Sequence, residues 1–437
     1  MKFSKYFLQA FLTLLCFCNP AKSQDDVYPK DPHPGMFVIK NAVIHVGNGQ
    51  IIEGGNVVVK DGKILSVGKD LPSGSAAAKV VDAGGKHLYP GLILSNSNLG
   101  LVEVNSVRAT ADAVEIGEIN SSVRSVVAYN TDSKVINTLR SNGILLANIV
   151  PGGGLISGSA SVVQLDAWNW EDAVYHLDGG IHLNIPRLMS RPSFSPFFAA
   201  QQSGDAVKRG LEQVEKIKEF FRDAKIYNAV GGPKETNLKL QAVKGLFTGK
   251  QKLFVHCDIV KEILVAIDLA KEFAFDVVLV GASESYQIAD IIKENNIPVI
   301  LDQMHSLPTA THDDVDQPYK TPFELQKAGV LFAINDGDGQ HRGRNLPFNA
   351  GTAVAYGLSK EEALSAITLN AAKILGISDR TGSVEVGKDA NLVISVGDIL
   401  DMKTSIITHA FIQGREIDLT DKHKQLYERY KHKYNLN

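Results

Sequence analysis

Along this chain the spacing of apolar positions changes character twice. Residues 36–71, "MFVIKNAVIHVGNGQIIEGGNVVVKDGKILSVGKDL", hold short β-rich runs separated by Gly, Asn and Asp-Gly. Branched residues in such runs suit a pleated, half-buried surface, and Asp61-Gly62 suits a tight hairpin turn. This stretch predicts a small antiparallel sheet. After residue 90 the apolar runs become continuous: "GILLANIV" at 143–150, "KLFVHCD" at 252–258, "DVVLVGA" at 276–282, "IPVILD" at 297–302 and "GVLFAIND" at 329–336. Helical periodicity fills the later intervals, as in "DIVKEILVAIDLAKEF" at 258–273. Continuous apolar strands followed by amphipathic helices predict βα units around a parallel sheet. Nearly 290 residues of this suit a (β/α)8 barrel, with a doubly wound sheet as the alternative. A helix with a small-residue face is predicted over 365–378, after which β-rich runs return in "GSVEVGKDANLVIS" and "THAFIQGREID".

The pattern therefore predicts an α/β fold: a TIM-like (β/α)8 barrel at 91–378, and a small β-sandwich formed by 36–90 together with 379–420. Residues 421–437, "DKHKQLYERYKHKYNLN", predict a helical tail. Leu426, Tyr427, Tyr430 and Tyr434 would form one stripe, anchoring an otherwise solvated helix.

Before residue 36 the chain reads differently. Lys2 and Lys5 precede the apolar run "YFLQAFLTLLCFC", and Ala21 and Ser23 supply small residues before Gln24. This is the pattern of an export leader at 1–23 cleaved near Ser23/Gln24, followed by a polar, proline-rich linker at 24–35. The run is short for a membrane span, and no other long apolar run predicts a transmembrane segment in the mature chain. Two of the three cysteines lie in the leader, so Cys257 alone remains and no internal disulfide is expected. Removing the leader takes away three lysines and no acids, moving the formal charge from −3 to −6. Nothing in this balance points to nucleic acid. The expected location is periplasmic or extracellular.

Three stretches resemble the metal-dependent amidohydrolase superfamily, and within it the secreted, imidazolonepropionase-like members: "GKHLYPGLI" at 85–93, "PGGGLISGSASVV" at 151–163, and "GLSKEEALSAITLNAAKILGISDRTGSVEVGKDANLVI" at 357–394. The resemblance implies hydrolysis of non-peptide C–N bonds in cyclic or linear amides, with a divalent metal, usually zinc, activating water. It also implies an Asp-x-His-x-His run after the first barrel strand, one His from each of two later strands, and an Asp from the last strand as ligand and general base.

This chain departs from that set. Leu94, Asn96 and Asn98 stand where the Asp and the two histidines belong. His256 holds the third ligand position, while Gly281, Ala282, Ser283 and Glu284 stand where the fourth His should be. The last-strand acid is Asp336 or Asp338, with Asp336 favoured because it directly follows the apolar run. Amide oxygens suit calcium better than zinc. The expectation is a degenerate metal site of His256 and Asp336. Cys257, adjacent to His256, should point into the barrel wall. The loop 302–316 offers His305, His312, Asp313, Asp314 and Asp316, with His341 further on: a replacement ion or substrate site, or simply a solvated acidic loop. Gly153 and Gly154 are placed as a tight loop at the active face, with substrate contact. Two functions compete: a hydrolase acting on a small amide, and a non-catalytic ligand-binding or partner subunit paired in a hetero-oligomer with an active relative.

Overall fold

The computed structural model describes residues 28–32, 34–72, 78–189, 206–229, 235–302, 304–308, 313–337 and 342–436. The expected leader lies outside them. Five strands open the fold: β1 (Met36–His45), β2 (Ile51–Lys60), β3 (Lys63–Gly68), β4 (Lys79–Asp82) and β5 (His87–Pro90). β1, β2 and β3 form the predicted antiparallel meander, turning at Asp61 and Gly62, both at positive φ.

The barrel wall follows in chain order: β6 (Leu92–Ser97), β7 (Ile144–Ile149), β8 (Ile156–Gln164), β9 (Val174–Asn184), β10 (Lys252–Cys257), β11 (Val277–Gly281), β12 (Val299–Leu301) and β13 (Phe332–Ile334). Every residue of β6, β7 and β8 is buried, as a wall between an interior and an outer layer requires. One strand departs from the pure (β/α)8 pattern. β8 runs antiparallel to both β7 and β9, so a β-meander replaces two βα crossovers. The stretch 151–163, read as a glycine-rich loop, is a loop only to Leu155 and a buried strand from Ile156. Its many small residues concealed the strand's periodicity.

β13 and β6 share no ladder among the described residues. Their seam is closed in another way. The Asn335 side chain accepts N–H bonds from Ser95 (2.9 Å) and Asn96 (3.2 Å) and donates to the Asn96 carbonyl (2.7 Å). An amide side chain carries a donor and an acceptor side by side, so it stands in for the backbone of a neighbouring strand. Lower on the same strand, Ile93 N–H donates to the Ile367 carbonyl.

The chain then returns to the first sheet as β14 (Leu392–Ser395), β15 (Ile407–Ile412) and β16 (Arg415–Glu416). β14 pairs antiparallel with β5, which joins both chain ends in one eight-stranded sheet. The sheet curls until Ile64 N–H reaches the Lys388 carbonyl. Phe37, Ile39, Val57, Ile64, Leu392 and Phe411 fill its own core.

Three expected elements differ in detail. The helix over 365–378 is two short helices, Lys360–Ala366 and Leu369–Ile374, broken where Thr368 leaves helical geometry and turns its hydroxyl back to Leu364 O. The tail is helical over Lys422–Lys433, but Tyr427, Tyr430 and Tyr434 are exposed and only Leu426 is partly covered. The expected linker is pinned over its described part. Lys30 N–H donates to Asp166, and Tyr28 packs on Trp168.

Asp166 is also held by Arg140, and both are almost fully buried. Breaking a buried ion pair strands its partner. Arg140→Met should lower stability by about 3–5 kcal/mol, read as a fall in urea midpoint at unchanged slope.

Candidate functional site at the barrel mouth

In a barrel of this kind the C-terminal strand ends gather polar side chains at one face. Here they gather Asn96 near the end of β6, Asp302 after β12, and Asn335 and Asp336 after β13. Asn96 Nδ2 lies 3.2 Å from both Asp302 oxygens, and Asn335 Nδ2 lies 2.6 Å from Oδ1. Both amides must present N–H to the carboxylate, because the flipped orientation would set oxygen against oxygen. A Cβ at Gly337 would come 2.2 Å from Asp302 Oδ2, so this glycine lets the backbone pass the carboxylate. Burial pushes the Asp302 pKa up to about 6; the Asn335 and Asn96 hydrogen bonds oppose the rise, and the charges of Asp336 and Asp258 add to it.

On β9 and β10 the interior carries a histidine pair. His182 Nδ1 lies 2.8 Å from His256 Nε2, and the His182 ring stacks on Phe254 at 4.8 Å. Burial lowers the His256 pKa to about 4. Burial, then the neighbouring His256, lowers that of His182 well below the ordinary value. Both rings are neutral at pH 7.

The anticipated residues separate into two groups. His256 and Asp336 do sit at strand ends on this face. Asp336 is buried, accepts from Asn349 Nδ2 (3.2 Å) and faces Arg342 Nε (3.6 Å). Asn98 is half-buried beyond the end of β6. His305 is exposed and turned to Thr352 and Tyr319. Gly153 and Gly154, both at positive φ, carry the long loop after β6: a Cβ on Gly154 would meet the Gly117 and Glu118 carbonyls at 2.8 Å. Where a fourth His was sought, Ser283 donates to Asp258, and Glu284 accepts from Val260 N–H at the start of the preceding helix, Val260–Phe273. Cys257 packs in the wall, and burial pushes its thiol pKa up. In the acidic loop Asp314 pairs with Lys320, and Tyr286 donates to Asp313. His312, Asp338 and His341 lie outside the described residues.

Asp302, Asn335 and His182 were missed. Asp302 could have been found by the argument that selected Asp336, since it too directly follows an apolar strand. His182 was hidden in a strand the sequence pattern did not reveal.

The donors present do not fit the zinc centre that the resemblance implies. The Asn96 amide gives its N–H groups to Asp302, and His256 Nε2 is taken by His182. Among the described residues no group of three or more His, Cys, Asp or Glu side chains is gathered to hold a metal ion.

Comparison with known proteins bears on the same question. Residues 325–417 match the amidohydrolase family model. An amidohydrolase from Thermotoga maritima superposes with a TM-score of 0.77 over 87% of this chain and 99% of its own, at 27% identity. These matches support the amidohydrolase superfamily for this chain. Among curated proteins, the chain is 25% identical to an imidazolonepropionase of Streptococcus gordonii, over 79% of its own length and 84% of that protein's. It is 22% identical to amidohydrolase tasK of Hapsidospora irregularis, again over 79% of its own length, but spans only 38% of that longer protein.

Two outcomes test the mouth. Asn335→Ala strands two N–H groups, a carbonyl and part of a carboxylate, and should cost about 4 kcal/mol in chemical unfolding. The second concerns pH. An acid whose folded pKa is raised stabilises the fold while protonated, and that contribution is lost as pH rises from 3.8 through about 6. Relative to Asp302→Asn, the native protein should therefore lose roughly 2–3 kcal/mol between pH 4 and 7. The neutral histidines act in the opposite sense below pH 6.5, but equally in both proteins, so the difference isolates Asp302.

Proposed function

We propose that this chain is an amidohydrolase-superfamily barrel that has given up metal-dependent hydrolysis and works by binding a small polar ligand at its mouth, alone or as a subunit beside an active relative. The observation that carries this reading is the amide of Asn96 donating to Asp302. At a position where the superfamily presents an imidazole lone pair to a cation, this chain presents N–H groups to an anion. Three further positions point the same way: Leu94, Asn98 and the Gly281–Glu284 turn hold none of the expected ligands. We further propose, from the export-leader pattern at 1–23, that this binding role is exercised outside the cytoplasm.

Hydrolysis of non-peptide C–N bonds is the reading that His256 and Asp336 would serve. Assays of cyclic amides and acylated dipeptides with added zinc or manganese distinguish the two. Turnover is expected at background and unchanged in Asp336→Asn. Metal-dependent turnover abolished by that substitution would restore the hydrolase.

A further inference from the structure

The C-terminal helix, Lys422–Lys433, carries a face that none of the described residues covers. Its root is fixed. Asp421 is buried, accepts a hydrogen bond from the Ser141 hydroxyl at 2.7 Å and caps the helix by accepting from His423 and Lys424 N–H. Beyond that root the helix stands clear of the body: among residues 422–436 only Leu426 and Lys431 are partly covered. The stripe expected to anchor it is turned outward, with Tyr427, Tyr430 and Tyr434 between 53% and 66% exposed. A helix of 12 residues gains little from propensity alone, so a stripe of this kind needs a surface to pack on.

The outward face combines two chemistries. Tyr427, Tyr430 and Tyr434 fall at i, i+3 and i+7 and so line one side. The rings of Tyr430 and Tyr434 stack at 6.3 Å, and Lys433 Nζ lies 5.1 Å from the Tyr434 centroid and 5.8 Å from that of Tyr430. By the same period Lys424 and Lys431 edge the stripe on one side, and Lys422 and Lys433 on the other. Glu428, the only acid within the helix, falls toward the far side. The positive charge is local. Residues 421–437 carry five Lys and Arg against two acids, a formal +3. With the three leader lysines also set apart from the overall −3, residues 24–420 carry −9. An anionic surface therefore repels the body and attracts this helix.

Charge complementarity thus selects an anionic occupant, and the stripe selects its kind. A helix that enters a groove on a protein partner presents large apolar anchors at this spacing. Here every outward anchor is a tyrosine, whose ring carries a hydroxyl at its tip and suits a boundary between an apolar and a wet layer. Lysines along the edges reach phosphate groups while their stems lie on the surface. No described helix is long and apolar enough to cross a membrane, so the contact is with the surface alone. We propose that the helix Lys422–Lys433 lays its tyrosine face on an anionic phospholipid surface and holds the protein there reversibly. This contact is independent of what the barrel mouth binds.

Co-sedimentation with large vesicles tests it, using the chain begun at Gln24, which keeps every described residue and removes the apolar run at 6–18. Vesicles of phosphatidylcholine with about 30% phosphatidylglycerol should bind at least about tenfold tighter than phosphatidylcholine alone, and raising NaCl from about 0.05 to 0.5 M should release the protein. Lys422→Gln, Lys424→Gln, Lys431→Gln and Lys433→Gln together should bring binding down to the phosphatidylcholine level at an unchanged urea midpoint. Lys→Arg at the same four positions should keep it. Tyr427→Ser, Tyr430→Ser and Tyr434→Ser together should weaken binding at least about fivefold while leaving release by salt in place. Absent binding to the anionic vesicles, equal binding to both kinds, or binding indifferent to the Lys→Gln substitutions would overturn the proposal. So would capture by polyglutamate with none by either vesicle, which would assign the face to an acidic protein.

Discussion

The barrel closes on the side chain of Asn335. β6 and β13, the first and last strands of the wall, do not pair directly, and this amide supplies the donor and acceptors that a neighbouring backbone would have supplied. The same NH2 group reaches Asp302, and the backbone it holds carries Asn96, whose own amide reaches Asp302 from the other side. Closure of the fold and composition of the mouth are therefore one constraint. A buried amide that makes nearly all its bonds is fixed in orientation, and everything built on it inherits that orientation.

This constraint explains why the mouth differs from a metal centre in kind rather than by degree. Metal ligands present lone pairs inward and are steadied from behind by a second layer of donors. Here the donors themselves occupy the inner layer. Amide N–H groups offset part of what burial costs the Asp302 carboxylate, and a histidine bonded to another neutral histidine has one nitrogen fewer to offer. Most of the barrel's core, from Leu92 to Ile377, is packed away from these strand-end side chains, and Asn335 is the link between that core and the mouth.

Much of the fold was legible because burial imposes a pattern. Runs such as "KLFVH" and "DVVLV" read as wall strands, and the β-rich ends read as one small β-sandwich, which the structure builds as a single curled sheet. β8 and β9 were not legible. β8 is rich in Ser, Gly and Ala, and in a wall buried on both faces small residues leave no alternation to read. The break at Thr368 depends on a side-chain hydroxyl competing for a helix carbonyl, which periodicity does not register. At the site, Leu94, Asn96 and Asn98 were visible as departures from the ligand pattern that the resemblance implies. That Asn96 would be turned by Asp302 depends on strands 206 residues apart that meet only in the closed barrel, and Asn335 joins them from the strand after Asp302. At glycines 153 and 154, close packing and ligand approach both demand glycine, and sequence alone does not separate them.

The central claim is that hydrogen bonds from Asn96 and Asn335 occupy the place of a metal. Elemental analysis of the purified protein, after equilibration with dilute zinc, manganese or calcium and removal of free ion, tests it most directly. The structure predicts no metal above background for any of the three. One equivalent of a divalent ion per chain, lost when His256 becomes Ala, would contradict it.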